Sequence, residues 1–339
     1  MKLTVQLLTW NGEKYIPHLF ESLRKQTYQD WQIYILDNGS IDGTVSVIKQ
    51  ELKNFNRACH FEEGKDNLGF AGGHNYIYDQ ADTEYAVFLN QDLYLEPDCF
   101  EKMISFMDKN PETAVVSPRL MKWNFNSLDD FFSDYVDSLG LKAYKNRRVV
   151  DWMAGKNWKE ESSRVAKWSG GQTVEVFGVS GTVLLLRRKS ADNILYNGKF
   201  IFDPDYGSYK EDVDLAFRLR SAGNKAYVIL DTCAYHDRAS NIGMSAIDNK
   251  KRQPMRIKYN SYRNHIMTIY KNEYWQNFII DFLRILCYET GKFAWFLIFD
   301  RGVLKGWKDI WKLRKELRNR RREIKNKKKI GWREMRKWL

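Results

Sequence analysis

The stretch Val87-Phe88-Leu89-Asn90-Gln91-Asp92-Leu93 decides how this chain folds. The apolar run Tyr85 to Leu89 reads as a strand buried on both faces. It stops abruptly at Asn90-Gln91-Asp92. A strand that delivers a carboxylate to its C-terminal edge places it where open α/β sheets bind ligands. An Asp at a strand end is also a common turn residue, so its meaning depends on the rest of the chain.

Upstream, Lys2 to Leu8 is an apolar strand that runs into Thr9-Trp10-Asn11-Gly12. Ile16, Leu19, Phe20 and Leu23 then recur at helical spacing. Trp31 to Leu36 is a second strand, closed by Asp37-Asn38-Gly39-Ser40-Ile41-Asp42-Gly43-Thr44, and Thr44 to Phe55 is helical. This β-α-β-α order predicts a doubly wound, mostly parallel sheet with both loops at its ligand edge. The Asp37 loop has two readings: a tight turn with a helix cap, or a carboxylate that accepts the imide N–H of a uracil or thymine. Asp66 to Asn75 carries glycines at 69, 72 and 73, which suit close backbone approach or a bend before a helix at Asn75–Gln80. It is not a dinucleotide fingerprint.

Downstream, Cys99 to Lys109 reads as a helix, Ala114 to Ser117 as a short strand, and Glu175 to Arg187 as a strand bent at Gly178–Gly181. The span 122–172 is irregular and rich in aromatics. Trp123, Phe125, Trp152 and Trp168 either stack on sugars or anchor a loop. Glu211-Asp212-Val213-Asp214 opens a helix that Gly223 closes. Acids in a first turn can serve the helix dipole alone. A strand Ala226–Leu230 precedes Tyr235-His236-Asp237-Arg238.

The 339 residues are 43% hydrophobic, enough for a large α/β domain plus an appendage. Four scattered cysteines give no CxxC pair and suit a reducing compartment. The opening residues are too short an apolar run for a signal peptide. The net charge of +12 is uneven: from Arg301 on there are 17 Lys/Arg against 4 Asp/Glu, a net +13 that leaves the first 300 residues near −1. A nearly neutral body with acidic loops argues against nucleic acid as a partner.

Taken in order, five motifs resemble family 2 glycosyltransferases of the GT-A fold, in their bacterial rhamnosyltransferase-like branch, over about residues 3 to 240. They are Thr9-x-Asn11, Asp37-Asn38-Gly39-Ser40-x-Asp42-Gly43-Thr44, Asn67-x-Gly69-Phe70-Ala71-x-Gly73-x-Asn75, Asn90-x-Asp92 as a D-x-D variant, and Glu211-Asp212 with Asp214. His236, with Ser240, stands where the family carries a late histidine. The resemblance implies a Rossmann-like, mostly parallel sheet flanked by helices, a nucleotide-sugar donor and inverting transfer to a glycan or lipid-linked glycan acceptor. It implies Asp92 and His236 as ligands of Mg²⁺ or Mn²⁺, and Asp212 as general base with Glu211 orienting the acceptor. Asp37, Thr9, Asn11, Asn67, Gly69, Asn75 and Asn90 would bind the nucleotide-sugar. The Asn67–Asn75 motif resembles users of dTDP-rhamnose, a motif that users of UDP-sugars largely share. A non-catalytic sugar-nucleotide-binding protein is the reading from another class.

The expected domains are 1–245, with a nucleotide part to about 120 and an acceptor part beyond it, and a helical basic tail, 246–339. Phe278 to Phe299 is apolar but interrupted by charges, too few apolar residues in a row for a membrane span. Tryptophans 307, 311, 332 and 338 among lysines and arginines suit an anionic membrane surface. The expected location is therefore peripheral, on the cytoplasmic face of the cell membrane.

Overall fold

Strand β1 (Leu3–Thr9) is an inner strand of a ten-stranded sheet among the described residues, and its side chains, polar Thr4 and Gln6 included, are buried almost throughout. The computed structural model describes residues 1–127, 131–238 and 251–339. The other strands are β2 (Trp31–Asp37), β3 (Cys59–Glu63), β4 (Tyr85–Leu89), β5 (Leu93–Leu95), β6 (Thr113–Trp123), β7 (Phe132–Ser138), β8 (Leu141–Ala143), β9 (Val149–Asp151), β10 (Thr173–Glu175), β11 (Val183–Arg187) and β12 (Lys225–His236). Among them run helices α1 (Ile16–Arg24), α2 (Thr44–Leu52), α3 (Gly69–Gln80), α4 (Cys99–Lys109), α5 (Trp158–Ser169), α6 (Arg188–Asp192) and α7 (Glu211–Ser221).

The sheet order is β10-β12-β6-β11-β4-β1-β2-β3, with β5 on β12 and β7 on β6, and β8 and β9 form a separate ribbon. Strands β3, β2, β1 and β4 are parallel, and β11 is inserted antiparallel between β4 and β6. The chain builds outward from β1 to β3, then crosses to the other side of β1 to lay down β4. That reversal opens a crevice at the carboxyl ends of β1 and β4, where such sheets bind ligands. Thr9 pairs with Asp37 and Leu7 with Leu89, so the loops of three strands meet there. All five residues of β4 are buried, as its unbroken apolar run requires.

Several elements are longer than local pattern suggests, each for a tertiary reason. Helix α3 begins at Gly69 rather than Asn75. Its glycines allow close packing: a Cβ on Gly73 would lie 2.4 Å from Leu8 Cδ1, and one on Gly69 (φ +72°) 2.7 Å from the Gly207 carbonyl oxygen. Strand β6 runs on to Trp123 because β12 and β7 pair along its second half, and β12 reaches His236 by pairing with β5 and β6. Thr173–Glu175 and Val183–Arg187 are two strands in different places, not one. The described residues of the 122–172 span include β7, β8, β9 and α5. Its Trp123 and Phe125 pack on Tyr15 and His18 of the α1 region and so act as anchors.

The expected boundary at 245 lies outside the described residues. Beyond it the helix Met255–Asn272 packs along α7, and the helix Arg314–Lys327 packs on Met255–Asn272. The join is ionic. Fully buried Lys271 contacts Asp203 and lies 3.0 Å from Asp214, Arg218 lies 2.9 Å from Asp214, and Arg320 contacts Asp203. Burial opposes the charge on Asp214, but Lys271 and Arg218 hold its carboxyl far below the usual range. Trp338, at the far end, lies under the Arg220 guanidinium at 3.8 Å. Removing one partner of a buried ion pair strands the others without solvent, which costs roughly 3–5 kcal/mol. Lys271→Ala is therefore expected to lose about that much stability in urea denaturation.

Candidate active site

The site is assembled from the ends of β1, β2, β4 and β12 and the start of α7. Gln91 closes the first link. Its Oε1 accepts the Trp10 N–H at 2.8 Å and its Nε2 donates to the Trp10 carbonyl at 2.9 Å. The middle residue of Asn90-x-Asp92 thus clamps the Thr9–Asn11 loop onto the loop after β4. The glycine at 12 leaves room for it, since a Cβ there would meet Gln91 at 2.2 Å.

Asp37 is buried, accepting from Thr9 Oγ1 at 3.0 Å, Ser40 Oγ at 2.6 Å and the Ser40 N–H at 2.8 Å. A carboxylate offers about four acceptor sites, so Oδ2, which takes the Ser40 N–H, keeps one more. Asn11, at φ +49°, accepts the Ile41 N–H through Oδ1 at 2.9 Å. Asn38 joins the second loop to the third: its Oδ1 accepts the Leu68 N–H at 2.8 Å and its Nδ2 donates to Asn67 Oδ1 at 3.2 Å. Asn67 Oδ1 also accepts the Gly69 N–H at 2.8 Å. Asn75 uses both ends of its amide on the Phe202 backbone, each at 2.9 Å. It therefore ties α3 to the Asp203 loop from behind the crevice.

Asp92 and His236 meet because β5 pairs with the end of β12, opposing Leu93 to His236. His236 Nε2 lies 3.4 Å from Asp92 Oδ2, and Nδ1 lies 3.0 Å from Asp137 Oδ2. Burial opposes a charge on this imidazole, but Asp92 and Asp137 together raise it to about 10. Arg238 lies 3.4 Å from Asp137 and 2.6 Å from Asp151, and the Asp212 charge also favours its cation. Tyr15 donates to Asp237 at 2.6 Å. Ser240 lies outside the described residues.

Helix α7 begins after two left-handed non-glycine residues, Tyr209 (φ +74°) and Lys210 (φ +72°). Such backbone persists where its surroundings over-determine it. Here Asn264 Nδ2 reaches the carbonyls of Tyr206, Ser208 and Tyr209 at 2.9, 3.1 and 2.7 Å, and Arg263 donates to those of Asp205 and Tyr206. The turn presents Glu211 and Asp212. Asp212 accepts the Gly181 N–H at 3.2 Å, and the next carbonyl, of Thr182, accepts the Asn90 N–H at 3.2 Å. Residues 181–182 thus bridge the acid pair to the Asn90–Asp92 loop. Burial first, then the Asp212 charge, raises Glu211 to about 8, and burial also raises Asp212. Glu211 Oε2 is buried and has no partner among the described residues. Carboxyls raised by burial and by a neighbouring acid are shifted in the direction that general bases of this type are tuned.

The candidate residues named from the sequence therefore converge, apart from Asn75, which shapes the site from outside. Asp137, Asp151, Arg238, Arg263 and Asn264 join them unannounced by any motif. Tyr135-Val136-Asp137 and the Tyr262-Arg263-Asn264-His265 run carry no recognisable local signal, and only strand pairing and helix docking bring them in.

A divalent cation would find donors here once it displaces the Nε2 proton of His236 that the neighbouring carboxylates hold. Asp92 and Nε2 of His236 face each other, and Asp137 on Nδ1 orients the ring as second partners of metal-bound histidines do. Among the described residues no three His, Cys, Asp or Glu side chains gather as a complete metal cage. Phosphate oxygens and water would complete the shell, as is usual for Mg²⁺.

The fold and this crevice define a GT-A glycosyltransferase architecture. The structure of GalNAc-T7 with UDP, GalNAc and Mn²⁺ superposes at a TM-score of 0.61, with 11% identity, over 80% of this chain and 48% of that one. Staphylococcus aureus TarS 1–349 with UDP-GlcNAc superposes at 0.51, with 19% identity, over 81% and 68%. Residues 4–152 match the family described as Glycosyl transferase family 2, and the chain carries a domain of that family. The teichoic acid poly(glycerol phosphate) polymerase of Staphylococcus epidermidis is 30% identical over 91 residues, 27% of this chain and 13% of that protein. The chain spans less than half the length of the curated relatives it matches.

The Glu211 shift has a stability consequence. Its folded value, about 8, lies above the ordinary 4.5, so the folded state binds this proton more tightly. That contribution is complete below the ordinary value and is lost as pH rises through the folded one. Between pH 5 and pH 9 the wild type is expected to lose more melting temperature than Glu211→Gln, as differential scanning fluorimetry would record.

Proposed function

We propose that this chain is an inverting glycosyltransferase of cell-surface glycan synthesis. It moves a sugar from a pyrimidine-nucleotide donor to a hydroxyl of a polysaccharide or lipid-linked acceptor. The observation that carries the reading is the double link between the Asp92–His236 pair and the Glu211–Asp212 pair. One link is the 181–182 backbone, and the other is the Arg238 charge, paired with Asp137 and Asp151 and favoured by the Asp212 charge. Two such groups on one crevice suit a displacement in which a leaving group departs from one side and a nucleophile is deprotonated on the other.

In this reading the remaining acceptor site of Asp37 takes the imide N–H of the base. Thr9, Asn11, Asn67, Gly69 and Asn90 line the nucleotide, and Asn75 fixes the wall behind it. Asp92 and His236 would hold a Mg²⁺ or Mn²⁺ ion, which would supply charge neutralisation for the departing diphosphate. Asp212 removes the acceptor hydroxyl proton, and Glu211, keeping its own proton, orients that hydroxyl by donating to it. Residues 1–245 form the catalytic unit, with the nucleotide side before about 120, and 246–339 brace it and place it peripherally on the anionic cytoplasmic face of the membrane. The donor is dTDP-rhamnose on the strength of the Asn67–Asn75 motif. A UDP-sugar is the second reading, favoured by the likeness to TarS in complex with UDP-GlcNAc.

Calorimetry with dTDP- and UDP-sugars, with and without Mn²⁺ or Mg²⁺, tests this directly. Metal-dependent binding of dTDP-rhamnose is expected; preference for a UDP-sugar would keep the enzyme class and replace the donor, and no binding of either would refute the reading. Asp92→Ala is expected to abolish the metal dependence of donor binding in the same titration. Asp212→Asn is expected to bind donor as the wild type does, while transfer falls by roughly 10²–10⁴-fold, the usual contribution of a general base. Transfer at the wild-type rate would remove Asp212 from that role.

A further inference from the structure

The helix Phe282–Phe299 leaves an apolar face uncovered. Leu283 is 72% exposed, Ile298 68% and Phe299 54%. Arg284 is the one charged side chain exposed along this helix, because Glu289 and Lys292 are turned inward near His265. The face continues into neighbouring elements. Trp275, Phe278, Ile285, Phe293 and Trp307, from successive segments, line one groove of about 600 Å³. Trp275 within it is 65% exposed, and Trp311, one helical turn after Trp307, is 69% exposed. Contiguous exposed apolar surface of this kind marks an interaction site.

The rim is cationic. Lys251 Nζ lies 5.8 Å from the Phe299 ring centroid, Arg301 caps the helix end by donating to the Leu297 carbonyl at 2.9 Å, and Lys305 and Lys308 flank Trp307. Arg252 and Arg256 are exposed beside Met255, which touches the turn at Gly302. A second copy of this chain would bring like charges together around the face. An anionic lipid surface would meet the apolar face with acyl chains and the rim with headgroups, while tryptophans take the boundary. Among the described residues no helix is long and apolar enough to cross a membrane, so this one would lie along the surface.

We propose that the face of residues 275–299 and its basic rim seat the chain on an anionic bilayer. The proposal deepens the membrane placement above and is independent of the donor assignment. It also moves the inserted element. Of the tail tryptophans, Trp307 and Trp311 are exposed, whereas Trp338 packs on Arg220 and the Trp332 backbone is bonded to Asn277. The inserted surface is chiefly the helix Phe282–Phe299, and the residues around it and after it supply charge.

The test uses the full chain and flotation with phosphatidylcholine vesicles, with or without phosphatidylglycerol. Binding to the anionic vesicles is expected, with tryptophan fluorescence quenched by brominated acyl chains. Leu283→Glu with Ile298→Glu, both at solvent-facing positions, should weaken partitioning by roughly a hundredfold, as loss of two inserted side chains implies, with melting temperature and donor binding unchanged. Lys305→Glu with Lys308→Glu should remove the preference for phosphatidylglycerol. Undiminished binding by the Leu283/Ile298 double variant would overturn the proposal. So would a wild type that floats with neither vesicle, including one that light scattering shows to be a dimer through this face. Loss of donor binding with intact flotation would overturn the donor reading alone.

Discussion

The contact on which the rest of this molecule depends is the buried ionic cluster of Asp203, Asp214, Arg218, Lys271 and Arg320. Its charges come from the loop before α7, from α7 itself, from the helix Met255–Asn272 and from the basic tail. None can be left alone without a large desolvation penalty, so the elements stay docked together or separate together. Such a cluster fixes geometry more than it adds stability. Here it fixes the start of α7, which carries Glu211 and Asp212.

The same docking explains the strained turn. Tyr209 and Lys210 hold left-handed backbone only because Asn264 and Arg263, on the docked helix, bind the carbonyls around them. A helix roughly 50 residues downstream therefore sets the angle at which the acid pair meets the crevice. On the other wall, Asp137 and Arg238 hold the His236 ring by a similar division of labour. The residues that touch the chemistry are few, and the residues that aim them are spread through the chain.

The basic tail shows how charge composition can mislead about location. A net +13 over 39 residues reads as a detached electrostatic anchor. In the structure Arg320 is inside the body, half-buried Lys328 donates to the Asn272 carbonyl, Arg336 is bound to Asp281, and Trp338 lies on Arg220. Only part of that charge faces outward. The apolar face that composition did not single out belongs to the preceding helix, where scattered Asp281, Glu289 and Lys292 lower the mean hydropathy but point away from solvent.

The alternation of strands and helices, the buried β4 and the convergence of Thr9, Asp37 and Asp92 at one sheet edge were legible in the sequence. Each follows from local periodicity and turn chemistry, and parallel strand order then leaves few places for the loops to go. The candidate acids Glu211 and Asp212 were legible too, as a first helical turn following a loop. What only the tertiary structure decided is which polar residues share a cavity. Asp214 differs from Asp212 by two positions, half a helical turn, and so faces Lys271 and Arg218 instead of the crevice. Asp137 lies 99 residues before His236 and reaches it through the pairing of β7 and β12 on β6. Burial and charge coupling act across space, and spacing along the chain does not encode them.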